Sequence, residues 1–263
     1  MRAQLPGLTM AYDATGSGRP LLLLHGYPLS RRIWQPQFDG LLDAAWMVAP
    51  DLRGHGDTEA SEGAYSMGQL AEDAAALLEE LGITQPVVVG GLSMGGYAAL
   101  AFYRQFPERV AGLILASTRA GADSPEGRAG REKSVATARE KGAAAIAEAM
   151  LPKMFAPGTY ASQPGLVEQV REIMAGTSVI GIAGALLGMR DRADATPLLA
   201  EIDRPVLVVH GAEDQLIPPS EAEAMHGHLR NSRLELVPGA GHLVNMEQPA
   251  SFNAAVRNFL QSL

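Results

Sequence analysis

The stretch Val87-Val88-Val89-Gly90-Gly91-Leu92-Ser93-Met94-Gly95-Gly96-Tyr97-Ala98-Ala99-Leu100 constrains this chain more than any other. An apolar run breaks into glycines around one serine and resumes with helical spacing, which predicts a strand, a sharp turn and a helix. Gly91 and Gly95 stand two residues either side of Ser93, where a Cβ would collide in a turn tight enough to lift the serine hydroxyl above a sheet edge. The amide of Met94 would then open the helix, where backbone N–H groups are unpaired and the local field favours an anion. Such a turn suits acyl transfer, with Ser93 as nucleophile. The motif is short, so its partners must be found elsewhere in the chain.

Composition narrows the setting. A chain of 263 residues that is 47% apolar can bury a substantial core and has room for one large α/β domain with a modest insertion. The formal charge of -8 argues against an electrostatic hold on nucleic acid or anionic lipid. Cysteine is absent, which removes disulfides, a thiol nucleophile and cysteine-ligated zinc. Residues 1–7 lack the apolar segment of a secretory signal, and no apolar run approaches the roughly 18 residues needed to cross a bilayer. A soluble, cytoplasmic protein is expected, monomeric or dimeric.

Taken in order, a short alternating segment at 8–12 leads through Gly16-Ser17-Gly18-Arg19-Pro20, a turn between two early strands. Leu21-Leu22-Leu23-Leu24 fits a strand buried on both faces, and His25-Gly26 ends it. A glycine there either makes a simple strand-ending turn or lets the amide of Tyr27 serve as a second oxyanion donor beside that of Met94. A helix is expected over 30–42 and a strand over 46–50. In the following loop Asp51, Arg53 and His55 are expected to pair with one another or with backbone, since buried polar groups need partners. Two carboxylates and a histidine this close also suit a metal, but the chain offers no second cluster of ligands, so none is expected. Apolar spacing predicts a packing helix over 66–81, capped by Ser66 and stopped by Gly82, and a further strand follows at 109–117. Strands alternating with helices imply a parallel doubly wound sheet, with ligands at the carboxyl ends of its strands.

Residues 119–201 change character. Helical periodicity runs over 125–150, 166–175 and 178–189 without a convincing strand, and the segment is too long for an ordinary connection. It reads as a helical cap inserted into a core formed by 1–118 and 202–263. Met150, Met154, Phe155, Ile182 and Leu186 are its candidate pocket walls, some of which only pack the cap itself. The core resumes with the strand 205–211, and Asp214 lies on the loop after it, where a carboxylate can orient a histidine. A helix at 220–229 and a strand at 234–237 lead to Gly239-Ala240-Gly241-His242, whose glycines leave the imidazole exposed to a cleft. A helix over 249–260 closes the chain.

Ser93, Asp214 and His242 therefore follow the chain order of a nucleophile–acid–base triad. The chain resembles the α/β-hydrolase superfamily over essentially its whole length. The resemblance rests on His25-Gly26-Tyr27-Pro28, Asp51-Leu52-Arg53-Gly54-His55-Gly56, Gly90-Gly91-Leu92-Ser93-Met94-Gly95-Gly96, Gly211-Ala212-Glu213-Asp214 and Ala240-Gly241-His242-Leu243. Within it the chain is most similar to microbial serine carboxylesterases, through Gly91-Leu92-Ser93-Met94-Gly95-Gly96-Tyr97 and Met246-Glu247-Gln248-Pro249. The resemblance implies an α/β-hydrolase fold with a helical cap and hydrolysis of short-chain esters without a cofactor. It also implies that Asp214 rather than its neighbour Glu213 is the orienting acid. Serine at the elbow disfavours dehalogenation and epoxide opening. Perhydrolases (cofactor-free haloperoxidases), enol-lactonases, C–C bond hydrolases and aminopeptidases share much of the pattern, as do hydrolase-like receptors that bind a small ligand. Leu216, Ile217 and Leu243, apolar residues beside the triad, together with the lack of an evident basic cluster, favour a neutral, modest-sized ester.

Overall fold

The apolar runs all enter one eight-stranded sheet in the computed structural model, which describes residues 1–263. In chain order the strands are β1 (Arg2–Leu5), β2 (Leu8–Gly16), β3 (Arg19–Leu24), β4 (Ala45–Pro50), β5 (Val87–Leu92), β6 (Val110–Ala116), β7 (Val206–Gly211) and β8 (Ser232–Val237). Across the sheet they lie β1-β2-β4-β3-β5-β6-β7-β8. From β4 to β8 every neighbouring pair is parallel, whereas β1 with β2 and β2 with β4 are antiparallel. β1 is an addition to the sequence reading. It forms a hairpin with β2 through Pro6 and Gly7, the glycine at φ 71°, in the register Leu5↔Leu8.

Both faces of β3 to β7 are covered, which is why these strands read as nearly unbroken apolar runs, whereas the edge strand β8 carries Arg233 and Glu235 and is largely open. In β3, Leu22 and Leu24 enter one core cluster, while Leu21 and Leu23 enter the other. Val206 and Val208 of β7 likewise oppose Leu207 and Val209. The helix Met67–Glu80 begins as expected, with Ser66 Oγ accepting the amide of Gln69 at 3.0 Å, and ends at Gly82 with φ 66°. The helix expected over 30–42 is instead a 3₁₀ turn, Arg31–Trp34, followed by a short α-helix, Gln35–Gly40, with Pro36 in its first turn.

Between β6 and β7 the chain contains only helices: Pro125–Met150, Thr159–Ser162, Pro164–Ala175, Val179–Arg190 and Thr196–Leu199. The expected span 125–150 is not one straight helix, because Gly142 breaks it with φ 80° and ψ 178°. Val179–Arg190 is apolar nearly all round because it is buried between neighbours. A Cβ at Gly181, Gly184 or Gly188 would run into Gly54 or Tyr65, so these small residues let the helix settle onto the loops that follow β4. The amide of Tyr65 bonds the Gly184 carbonyl at 2.9 Å across that contact. No single helix is long and apolar enough to cross a membrane.

The strand order contains one reversal that matters for chemistry. After β3 the chain crosses to β4 on one side, then returns to place β5 on the other. Such a switch point opens a crevice beyond the strand carboxyl ends. Tyr27 follows β3 there, and Ser93 follows β5.

Candidate active site

Ser93 has φ 55° and ψ -113°, a backbone conformation that non-glycine residues seldom adopt. The turn is held by its amide bonding the Ala116 carbonyl at 2.9 Å and by Thr118 Oγ1 donating to the Ser93 carbonyl at 2.8 Å. A Cβ at Gly91 would enter the Gly95 carbonyl, and one at Gly95 would enter the carbonyl of Leu24 at the end of β3. Both glycines are therefore required to press the helix Met94–Gln105 against the strand ends. Met94 is its first residue, so no preceding turn takes its amide.

The loop after β3 is seated on this turn. A Cβ at Gly26 would lie 3.2 Å from the Leu92 carbonyl and 3.3 Å from Ser93 Cβ. His25 holds the loop from beneath: Nδ1 donates to the Gly26 carbonyl at 2.8 Å, and Nε2 accepts the amide of Leu52 at 2.9 Å. Burial pushes the His25 pKa down to about 4, outweighing the bond to Gly26, so the ring is neutral and this pairing is sustained at ordinary pH.

The loop 51–58 differs in part from expectation. His55 Nδ1 does bond the Arg53 carbonyl at 3.0 Å, and Asp51 does accept the amide of Asp57 at 2.8 Å. The charged partners, however, come from outside the loop. Asp51 pairs with Arg31, whose amide it also accepts at 2.7 Å, and Arg53 grips Asp73 with bonds of 2.7 and 2.9 Å. Proximity in sequence misled because Arg31 of the 3₁₀ turn and Asp73 from the middle of the helix Met67–Glu80 reach these side chains from outside the loop.

Asp214 and His242 come together from loops 28 positions apart, with His242 Nδ1 2.8 Å from Asp214 Oδ2. The other carboxylate oxygen accepts the amides of Leu216 at 2.8 Å and Ile217 at 2.9 Å. Burial alone would raise the Asp214 pKa, but His242, His210 and the Ile217 amide more than offset it and hold the group well below the usual carboxylate range. An ionised Asp214 keeps the imidazole proton on Nδ1 and leaves Nε2 as a base. Glu213, the alternative acid, is exposed. A Cβ at Gly211 would strike the Ala240 and Gly241 carbonyls, so the two loops touch through backbone.

Two participants escaped the sequence reading. His210, fully buried in β7, places Nε2 2.9 Å from the Ile217 carbonyl and 3.2 Å from Asp214 Oδ2. The available signal was a histidine ending an otherwise apolar strand. Glu247, also buried, accepts the amides of Gly241 and Ala156, each at 2.8 Å, and the Thr159 hydroxyl at 2.7 Å. It ties the loop carrying His242 to the helical segment.

Ser93 opens into a cavity of about 590 Å³ between the sheet edge and the helical segment. Leu216, Ile217, Met150 and Leu186 of the expected pocket residues line it, and so does Tyr27, expected only as a backbone donor. Leu243, Met154, Phe155 and Ile182 do not; each is 0% exposed within the packed clusters. The reason is local for three of them: the Leu243 amide bonds the Met154 carbonyl at 3.3 Å, and Gly241 abuts the Phe155 backbone, so this stretch docks the segment onto the core. Ile182 lies on the helix that packs against Gly54 and Tyr65. A second correction concerns charge, because Arg119, Arg131 and Lys153 line the cavity with Asp123. These residues are spread over 119–153 and form no cluster in the sequence.

Comparison with known proteins agrees with this architecture. Residues 19–249 match the family described as alpha/beta hydrolase fold. An esterase from Thermogutta terrifontis, solved with malate bound, superposes with a TM-score of 0.98 at 40% identity, covering 100% of this chain and 98% of that one. A 3-oxoadipate enol-lactonase of Acinetobacter baylyi is 34% identical over 85% of this chain and 82% of its own. A non-heme haloperoxidase of Rhodococcus erythropolis is 30% identical, covering 97% of each chain.

Proposed function

Because this chain belongs to the α/β-hydrolase family, we propose that it is a serine carboxylesterase that hydrolyses short-chain esters through an acyl-enzyme on Ser93. The observation that carries the reading is the buried His242–Asp214 pair at 2.8 Å, set at the same sheet edge as the strained Ser93 turn. In this mechanism Nε2 of His242 takes the Ser93 proton as the hydroxyl attacks the ester carbonyl. The amides of Met94 and Tyr27 stabilise the oxyanion, the first at a helix start and the second on the loop pinned by His25. The protonated imidazole hands its proton to the leaving alcohol, and then activates water to release the acid. Every group this requires is a residue of the chain, so no cofactor is invoked.

Residues 119–201 act as a cap on a core made of 1–118 and 202–263, giving the pocket its second wall. Initial rates on 4-nitrophenyl esters from acetate to palmitate, with Ser93→Ala in parallel, test the proposal. A maximum at short acyl chains is expected, and the variant should lose kcat by roughly 10⁶. Turnover retained by Ser93→Ala would remove the serine from the mechanism.

The 34% identical enol-lactonase favours a second reading, ring opening of a lactone on the same serine. A chain that opens enol-lactones far faster than it cleaves any acyclic ester would move the proposal there. The haloperoxidase relative raises perhydrolysis, in which hydrogen peroxide replaces water at the acyl-enzyme. Peracid formation outpacing hydrolysis in the presence of peroxide would mark that activity.

A further inference from the structure

The cavity wall carries charge that ester chemistry alone does not use. Asp123, its side chain 1% exposed, pairs with Arg119 Nη2 at 2.6 Å, Arg131 Nε at 3.0 Å and Arg192 Nη1 at 2.7 Å. Arg192 is engaged through both terminal nitrogens: it also donates to the carbonyls of Met189 at 3.0 Å and Gly121 at 2.7 Å, and its guanidinium lies 4.1 Å over the Tyr97 ring. Arg131 is engaged only through Nε, so both of its terminal nitrogens are free on a side chain that lines the cavity. Arg119 and Lys153 line the same space.

One carboxylate cannot neutralise this group. Against Asp123 the lining sets Arg119, Arg131 and Lys153, and Arg192 pairs with the same carboxylate from outside the lining, which leaves the wall positive in a chain whose formal charge is -8. A guanidinium with a free planar fork is the side chain best suited to grip a carboxylate through two parallel bonds. Tyr27, on the same cavity, adds a hydroxyl that is buried without a partner. Its burial pushes the phenol pKa up, so it keeps its proton and remains a donor.

We propose that the cavity selects esters or lactones bearing a free carboxylate, which Arg131 and Arg119 hold while Ser93 attacks the scissile carbonyl. The proposal deepens, and for turnover rests on, the acyl-enzyme reading of Ser93. Its content is separable: the positive wall dictates which substrate is preferred, whatever the rate of the chemistry.

The test compares matched substrates that differ in charge. Monomethyl glutarate is set against methyl valerate, and O-butyrylglycolate against propyl butyrate, so that the carboxylate is offered on either side of the scissile bond. In at least one pair the charged member should have a kcat/KM about ten-fold or more above its neutral partner, as a charge-assisted bond predicts. Arg131→Gln should lower that ratio by about ten-fold, and Arg131→Lys should restore part of it. Because the readout is a ratio within one variant, general loss of folded protein does not imitate it. A preference for the neutral member in both pairs, or a ratio untouched by Arg131→Gln, overturns the proposal. If the wild type cleaves none of the four, the esterase reading has failed, and calorimetry decides this one. Ser93→Ala should then bind a charged member at least ten-fold more tightly than its neutral partner, and equal affinity overturns the proposal.

Discussion

The two walls of the Ser93 cavity are built on opposite principles. At the sheet edge Asp214 and His25 have their bonding filled: Asp214 by His242, His210 and two amides, and His25 by backbone at both ring nitrogens. On the helical side cations outnumber the one carboxylate, and Arg131 keeps free donors. A saturated edge has its geometry decided in advance, which is what a proton relay needs. An unsaturated wall awaits a partner, which is what selection among substrates needs.

The largest effect that would break this contrast lies at the saturated edge. Asp214→Asn should lower kcat by on the order of 10⁴, because the amide favours the wrong imidazole tautomer, while Glu213→Gln should leave it nearly unchanged. Steady-state rates on one good ester decide the matter, and damage from Glu213→Gln instead would mean the acid is misassigned.

The next prediction sharpens the contrast within the helical segment, since only part of that segment faces the cavity. Phe155, 0% exposed, docks the segment on the core, so Phe155→Ala should cost about 3–5 kcal/mol in urea unfolding. Met150, half-buried on the cavity, should on change to Ala cost less stability and shift the preferred acyl length instead. Similar stability losses with no change in preference would remove Met150 from the wall.

The smallest effect separates the two walls by pH. Burial lowers the pKa of His25 to about 4 and of His55 to about 3, from 6.5. Below pH 6.5 the unfolded chain therefore takes up protons that the folded chain refuses, and stability falls as pH drops toward 4. Each histidine contributes on the order of 1 kcal/mol per pH unit in that window. Asp123 acts lower: burial works to raise its pKa, but Arg131 and Arg192 hold it below 3.8, so its contribution is lost only as pH falls beneath that value. Urea unfolding between pH 7.5 and 4.5 should show a slope that His55→Asn flattens and Asp123→Asn leaves alone. A slope indifferent to His55→Asn would place the sensitivity in other groups.

What was legible in the sequence follows the same division. The residues of the saturated edge stand at strand ends beside glycines, because a turn that presents a side chain above a sheet needs small neighbours in a particular order. The positions of Ser93, Asp214 and His242 after strand ends could be read from that grammar. His210 and Glu247 could not, because each acts through partners that lie elsewhere in the chain, such as Ala156 and Thr159 for Glu247. The pocket residues expected from the helical segment were only partly right for another reason. Helical periodicity reports which face is apolar, and both a docking face and a pocket face are apolar, so Phe155 and Met150 look alike until the helices are packed.

The sequence by itself determined the strand–helix alternation, the tight strand-to-helix turn at Ser93, the place of Asp214 and His242 on loops that follow strands, and the all-helical stretch between β6 and β7. These are written in local spacing and in backbone requirements that neighbouring residues impose. Only the tertiary structure decided which face of each apolar strand meets which core, that Arg31 and Asp73 rather than loop neighbours pair with Asp51 and Arg53, and that Arg119, Arg131 and Lys153 converge on one cavity. Charge clusters are sums over positions that folding brings together, and a linear chain does not contain those distances.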